Sequence, residues 1–277
     1  MITRVRTALI ALCVLAPFLI FSGTFMLQIF VIVMSTVALY ETFACIKVEK
    51  NYYVSVPAYL LAVIVPIFAR GITNTNLFIK LLFCTFFIYG FYLMTTAVFM
   101  KNKTALHDIG FVYLMTLYII FSFSCIIFLR DVKYGEYIFL LVFMSAWMTD
   151  MGAYAVGSVL GKHKLLEEVS PKKTIEGAIG GIIFCVLSFC LYGFIIGIIF
   201  EATPRYIPLI IVGAVMSVIS QCGDLIASLI KRNYDLKDYG NIFPGHGGVM
   251  DRFDSIIAVA PFLYMLYIAS PYFELFF

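Results

Sequence analysis

The residues most able to do chemistry in this chain crowd into one polar stretch, Ser228 to Asp254, whose centre reads Pro244-Gly245-His246-Gly247-Gly248. Glycines let a backbone turn its N–H groups outward and allow an anion to approach closely. Lys231, Arg232 and Lys237 precede this centre; Asp251, Arg252 and Asp254 follow it. Cations and backbone donors suit phosphates, whereas carboxylate oxygens suit a hard cation such as Mg²⁺, which binds one or two carboxylates together with substrate phosphates. The stretch therefore predicts a phosphate-and-metal site.

Polar residues upstream extend it. On a helix Asp224, Ser228 and Lys231 fall at i, i+4 and i+7, one face, with the carboxylate about 10 Å deeper than the ammonium. Asp150, in Trp147-Met148-Thr149-Asp150, lies about 15 Å inside its apolar run by helical rise. An ionisable group at that depth costs about 2.5 to 3.5 kcal/mol near a helix centre, so a functional or water-lined setting is expected. Ser170-Pro171-Lys172-Lys173-Thr174 adds two lysines before Glu176-Gly177. Gly177, Gly180 and Gly181 leave one side of the following helix bare and are read as packing residues. Glu41 is expected to snorkel at a helix end, and His107 and His163 to lie in solvated connections.

The elements that must position these residues are membrane helices. The hydrophobic fraction is 63% and the charged fraction 13%, with a mean hydropathy of +1.02, against about 25% charged residues in soluble domains. A net charge of +3 gives no reason to expect nucleic acid. The seven cysteines are scattered through apolar runs without a C-x-x-C pair, so neither disulfides nor zinc is inferred. The continuous apolar runs indicate an all-α polytopic membrane protein with about nine spans of about 20 residues each. They are Thr7 to Phe21, Phe25 to Ile46, Tyr53 to Ala69, Leu77 to Met100, Ile109 to Leu129, Tyr137 to Leu160, Gly177 to Phe200, Tyr206 to Ile230 and Phe253 to Tyr272. Arg4 and Arg6 before the first run imitate a signal peptide, but no small-residue cleavage site follows, and a retained first helix is expected. Basic residues concentrate on one side when the N-terminus is placed inside; only Arg70, Arg130, Lys133 and Arg205 then face out, with Lys80 just inside a span. The positive-inside rule thus predicts a cytoplasmic N-terminus, a C-terminus on the opposite side, and cytoplasmic connections at 161–176 and 231–252. Residues 1–136 read as a scaffold of about five helices, with dimer or lipid contacts allowed. Residues 137–277 read as a catalytic region of about four.

Three groups of residues carry a family resemblance. Ser228-x-x-Lys231-Arg232, Lys237-Asp238-x-Gly240 and Pro244-x-His246-Gly247-Gly248-x-x-Asp251-Arg252-x-Asp254 together resemble the signature of phosphatidate cytidylyltransferases, the CDP-diacylglycerol synthases. Asp150-x-x-Ala153-Tyr154-x-x-Gly157, Ser170 to Gly177 and Gly223-Asp224-Leu225 are similar to that family's segments, in the same order. The resemblance covers the C-terminal half, and Ala227 stands where many relatives have Glu.

The resemblance implies Mg²⁺-dependent transfer of CMP from CTP to phosphatidate in phospholipid synthesis, giving CDP-diacylglycerol and pyrophosphate. It implies Asp224 and Asp251 as Mg²⁺ ligands, Asp150 and Asp254 as further ligands or supports, and room for a second cation. Lys172, Lys173, Lys231, Arg232, Lys237 and Arg252 would balance phosphate charge. Ser228 and the backbone of Gly245, Gly247 and Gly248 would hold the nucleotide, and His246 would donate to a phosphate. It also implies a bacterial-type plasma membrane, a cytoplasm-facing active site and a homodimer. Two rivals stay open. A CTP-dependent polyprenol or phytol kinase would use similar groups to move the γ-phosphoryl. An ion-coupled transporter would explain intramembrane Asp150 and Asp224, although the charges gather at one face instead of crossing the midplane.

Overall fold

A computed structural model describes residues 13, 15–71, 75–100, 105–201, 203–243, 245 and 247–269. Eight helices among these are long and apolar enough to cross a membrane. Of the expected first span, Thr7 to Phe21, residues 7–12 and 14 lie outside the described residues. In lipid each backbone polar group must find its partner within the protein, and an uninterrupted apolar helix achieves that alone. The chain divides into two compact units, residues 1–132 with 233–252, and residues 133–232 with 253–277.

The first unit contains α1 (Phe25–Cys45), α2 (Tyr52–Gly71), α3 (Thr75–Phe99) and α4 (Leu106–Asp131). Helix α4 is its centre and packs on the other three. Val112, Ile119, Ile120, Phe123, Ile126 and Ile127 on it are all fully buried. Thr24 caps α1, its Oγ1 accepting from Met26 N at 3.2 Å. The turn before α1 is tied to the ends of two neighbours: Arg70 at the end of α2 donates to the Ser22 carbonyl at 2.8 Å and pairs with Asp131 of α4 at 2.7 Å. Arg130 Nε donates to Ser22 Oγ at 2.9 Å. These guanidiniums thus organise one end of the unit.

The second unit contains the short α5 (Gly135–Ile138), α6 (Leu140–Leu160), β1 (Lys164–Leu166), β2 (Ser170–Thr174), α7 (Ile175–Ile199), α8 (Tyr206–Asn233) and most of α9 (Met250–Ala269). The strands form an antiparallel hairpin, pairing Lys164 with Thr174 and Leu166 with Ser170. This hairpin occupies the connection expected between spans at 161–176 and adds two short strands to an otherwise helical chain among the described residues. Thr174 ends the hairpin and caps α7, its Oγ1 accepting from Gly177 N at 3.1 Å.

Helices α6 and α7 make the closest pair, because the α7 glycines admit the α6 backbone. A Cβ on Gly177 would come within 2.8 Å of the Ala153 carbonyl, and one on Gly181 within 2.9 Å of the Thr149 carbonyl. The packing role expected of these glycines is what the structure shows. A seam of polar contacts then joins α8 to its neighbours. Thr149 Oγ1 meets Ser217 Oγ at 2.9 Å, Gln221 Nε2 donates to the Ala178 carbonyl at 3.2 Å, and Ser255 Oγ donates to the Ser220 carbonyl at 3.1 Å.

The connection expected at 231–252 is narrower than predicted. Helix α8 continues through Lys231 and Arg232 to Asn233, and α9 begins at Met250. Cationic and acidic residues assigned to a loop are thereby held at helix ends.

Candidate functional site

In the second unit the polar residues gather along α8. Gly223 is where α8 and α9 approach: a Cβ there would lie 2.5 Å from the Ala258 Cβ and 2.9 Å from the Asp254 carbonyl. The missing side chain lets the next residue, Asp224, come level with Asp254. Ser228 Oγ donates to Asp224 Oδ1 at 3.4 Å, as the i, i+4 spacing predicts. Lys173, delivered by β2, places Nζ 2.6 Å from Asp224 Oδ2, both side chains about a quarter exposed. Asp254 is 8% exposed. It accepts from Ser255 N at 2.7 Å, and the charges of Asp224, Asp150 and Lys231 all act on it. Three acidic groups and two lysines therefore share one region of this unit. Like charges in an apolar setting are costly unless cations accompany them.

The remaining predicted residues of this unit are placed simply. Asp150 is exposed on α6, Lys172 is exposed on β2, Arg232 is exposed near the end of α8, and Lys231 is buried. Ala227 is buried on α8, 2% exposed. His163 lies in a solvated connection as expected, 73% exposed, yet its Nδ1 sits 2.6 Å from Glu176 Oε1. Glu176 also accepts from the amides of Lys162 and His163 at 3.1 and 3.2 Å, so it fastens the base of the hairpin.

In the first unit the glycine-rich segment is a tight loop. Gly245 and Gly247 adopt φ of +78° and +84°, which side chains disfavour. Phe243 N donates to the Gly247 carbonyl at 2.9 Å, closing the turn. Asp251, in the first turn of α9, reaches back with Oδ2 to accept from Tyr239 N at 2.8 Å and Gly248 N at 2.9 Å. The amide of Gly248 is thus committed to Asp251 rather than turned outward. Lys237, Gly245 and Arg252 are exposed around this loop. His246 and Pro244 lie outside the described residues.

Glu41 corrects the sequence reading most. It is 2% exposed and does not snorkel. Its Oε1 accepts from Val249 N at 3.0 Å and its Oε2 from Met250 N at 2.8 Å. The one signal in the sequence was a carboxylate inside an apolar run, which is rarely without a partner.

Among the described residues no group of three His, Cys, Asp or Glu is already drawn together around a metal position. The carboxylates of Asp150, Asp224 and Asp254 offer oxygen donors, the kind that hard cations such as Mg²⁺ prefer.

A model of the cytidylyltransferase family matches residues 2–269. The chain is 36% identical over 276 residues to the phosphatidate cytidylyltransferase of Bacillus subtilis (strain 168), covering 95% of this chain and 96% of that protein. It is 34% identical over 269 residues to the protein of that name from Staphylococcus haemolyticus (strain JCSC1435), covering 96% and 98%. Over 274 residues it is 34% identical to the one from Staphylococcus aureus (strain COL), covering 96% and 99%.

Proposed function

The chain belongs to the cytidylyltransferase family, and from that premise we propose that it is a phosphatidate cytidylyltransferase. A phosphate oxygen of phosphatidate attacks the α-phosphorus of CTP. The new P–O bond joins lipid and CMP as CDP-diacylglycerol, and the bond to the β-phosphate breaks to release pyrophosphate. The lipid phosphate is already ionised near neutral pH, so no general base is required. The obstacle is repulsion between two anions, and the residues must supply positive charge.

The observation that carries this reading is the grouping of Lys173 and Lys231 with Asp224, Asp254 and Asp150 in one unit. Lys172 and Arg232 are exposed beside it in the sequence and are assigned to phosphate oxygens. Ser228 orients Asp224 through its hydroxyl. We assign Mg²⁺ to Asp224 and Asp254, with Asp150 in support. When bound, the ion would offset phosphate charge and polarise the α-phosphate. The two lysines leave a residual negative charge on the three carboxylates, which suits a divalent cation. In the first unit, Lys237, Arg252 and the exposed turn at Gly245 are assigned to phosphate contact, as is His246. Asp251 has two duties: loop organisation through Oδ2, and a negative charge available to a cation. Ala227 gives no support to a second metal ion.

The same proposal includes a cytoplasmic N-terminus, about nine spans with the C-terminus opposite, residence in a bacterial plasma membrane, and chemistry on the cytoplasmic side where CTP is available. A homodimer is compatible with it. The test is incubation of purified protein with CTP and phosphatidate, with and without Mg²⁺. CDP-diacylglycerol and pyrophosphate appearing in equal amounts, only with the metal, is the expected result; neither product appearing would remove the assignment.

A further inference from the structure

Glu41 stands on the first described membrane helix, 208 residues in sequence from Val249, one of its two partners. Consecutive amides at the start of α9 all end on carboxylates: Gly248 N on Asp251 Oδ2, Val249 N on Glu41 Oε1, and Met250 N on Glu41 Oε2. A helix leaves its first amides without intrahelical acceptors, and these amides carry the positive end of the helix dipole. Here that need is met from another helix, by a side chain shut off from water.

Space around the carboxylate is reserved for it. A Cβ on Gly240 or on Gly248 would collide with the Glu41 carboxylate. Gly240 and Gly248 bracket the turn that holds Gly245 and Gly247, so Glu41 touches both ends of that turn. Tyr239, next to Gly240, is buried and donates to Asp251. Two carboxylates therefore hold the segment from Tyr239 to Met250, one from within its own sequence and one from α1.

We propose that Glu41 is a positioning residue for the transfer reaction, fixing the glycine turn and the start of α9 so that Asp251, Arg252 and Lys237 are held in working geometry. This rests on the cytidylyltransferase reading given above. Glu41 touches neither substrate nor metal in this role; it acts through the backbone. Glutamine cannot replace it, because an amide offers one acceptor and turns its NH₂ toward the second N–H.

The test compares Glu41→Gln and Gly240→Ala with the wild type, each purified in detergent and normalised to the monodisperse folded fraction. Gly240→Ala keeps the Glu41 carboxylate in the sequence but displaces it from the turn, so it keeps the proposal testable where Glu41→Gln folds poorly. Both should lower kcat by about 100-fold, the scale expected when reacting groups are misplaced by about 1 Å, while KM for CTP changes less. Amide hydrogen exchange should rise in 239–250 and stay unchanged in α2 to α4. Wild-type kcat per folded molecule, or unchanged exchange in 239–250, would overturn the proposal. A purely structural role would lower yield and leave kcat intact. If the wild type itself makes no CDP-diacylglycerol, the functional reading fails, and the exchange measurement still decides whether Glu41 holds the turn.

Discussion

Lys173 Nζ lies 2.6 Å from Asp224 Oδ2, joining the strand of a hairpin to the C-terminal third of a membrane helix. The pair sets a cation from β2 beside the acidic residues of α8 and α9. It also makes Lys173 the better placed of two adjacent lysines, since Lys172 points into solvent.

Lys173→Ala should therefore raise KM for CTP by about tenfold, the worth of one charge-assisted hydrogen bond of about 1.5 kcal/mol. Both partners are about a quarter exposed, so the stability cost should stay below about 1 kcal/mol. Lys172→Ala should have a smaller effect on KM. Steady-state kinetics and thermal unfolding in detergent read these apart, and unchanged kinetics for both variants would leave the lysines with a topological role alone.

Asp251→Asn should abolish turnover while membrane insertion and folding persist. The amide oxygen of Asn can still accept from Tyr239 N and Gly248 N, as Asp251 Oδ2 does, so the loop keeps its shape while the charge is lost. Asp251→Ala should lose both, showing faster exchange in 239–250. Near-normal activity of the Asn variant at ordinary Mg²⁺ would confine Asp251 to loop organisation.

Asp254→Asn should lower activity at least about tenfold, since removing one carboxylate from a cation site weakens it. Its stability should be equal to or above that of the wild type. Asp254 is buried near the like charges of Asp224 and Asp150, with Lys231 as counterweight; residues kept under such repulsion serve function at the expense of stability. A variant that loses stability but retains activity would contradict the metal assignment.

Much of this arrangement was legible in residue spacing. The 3.6-residue period places Asp224, Ser228 and Lys231 on one face, and hydropathy locates the eight described spans within a few residues. The glycines of α7 announced close packing because a bare helix face has few other uses. What stayed hidden was long-range. Nothing in the sequence near Glu41 names the amides of Val249 and Met250, and an apolar neighbourhood tells only that a carboxylate there needs a partner. The hairpin at 164–174 escaped because five residues of strand carrying Pro171 and two lysines show no period of two. The pairing of Lys173 with Asp224 joins residues far apart in the chain, and only the fold can reveal it.

The fate of each phosphorus of CTP separates nucleotidyl transfer from phosphoryl transfer most directly. With purified protein, phosphatidate and Mg²⁺, CTP labelled at the α-phosphate should pass its label into the lipid product, and CTP labelled at the γ-phosphate should leave its label in pyrophosphate. Label from the γ-phosphate in the lipid would show a kinase and contradict the central claim.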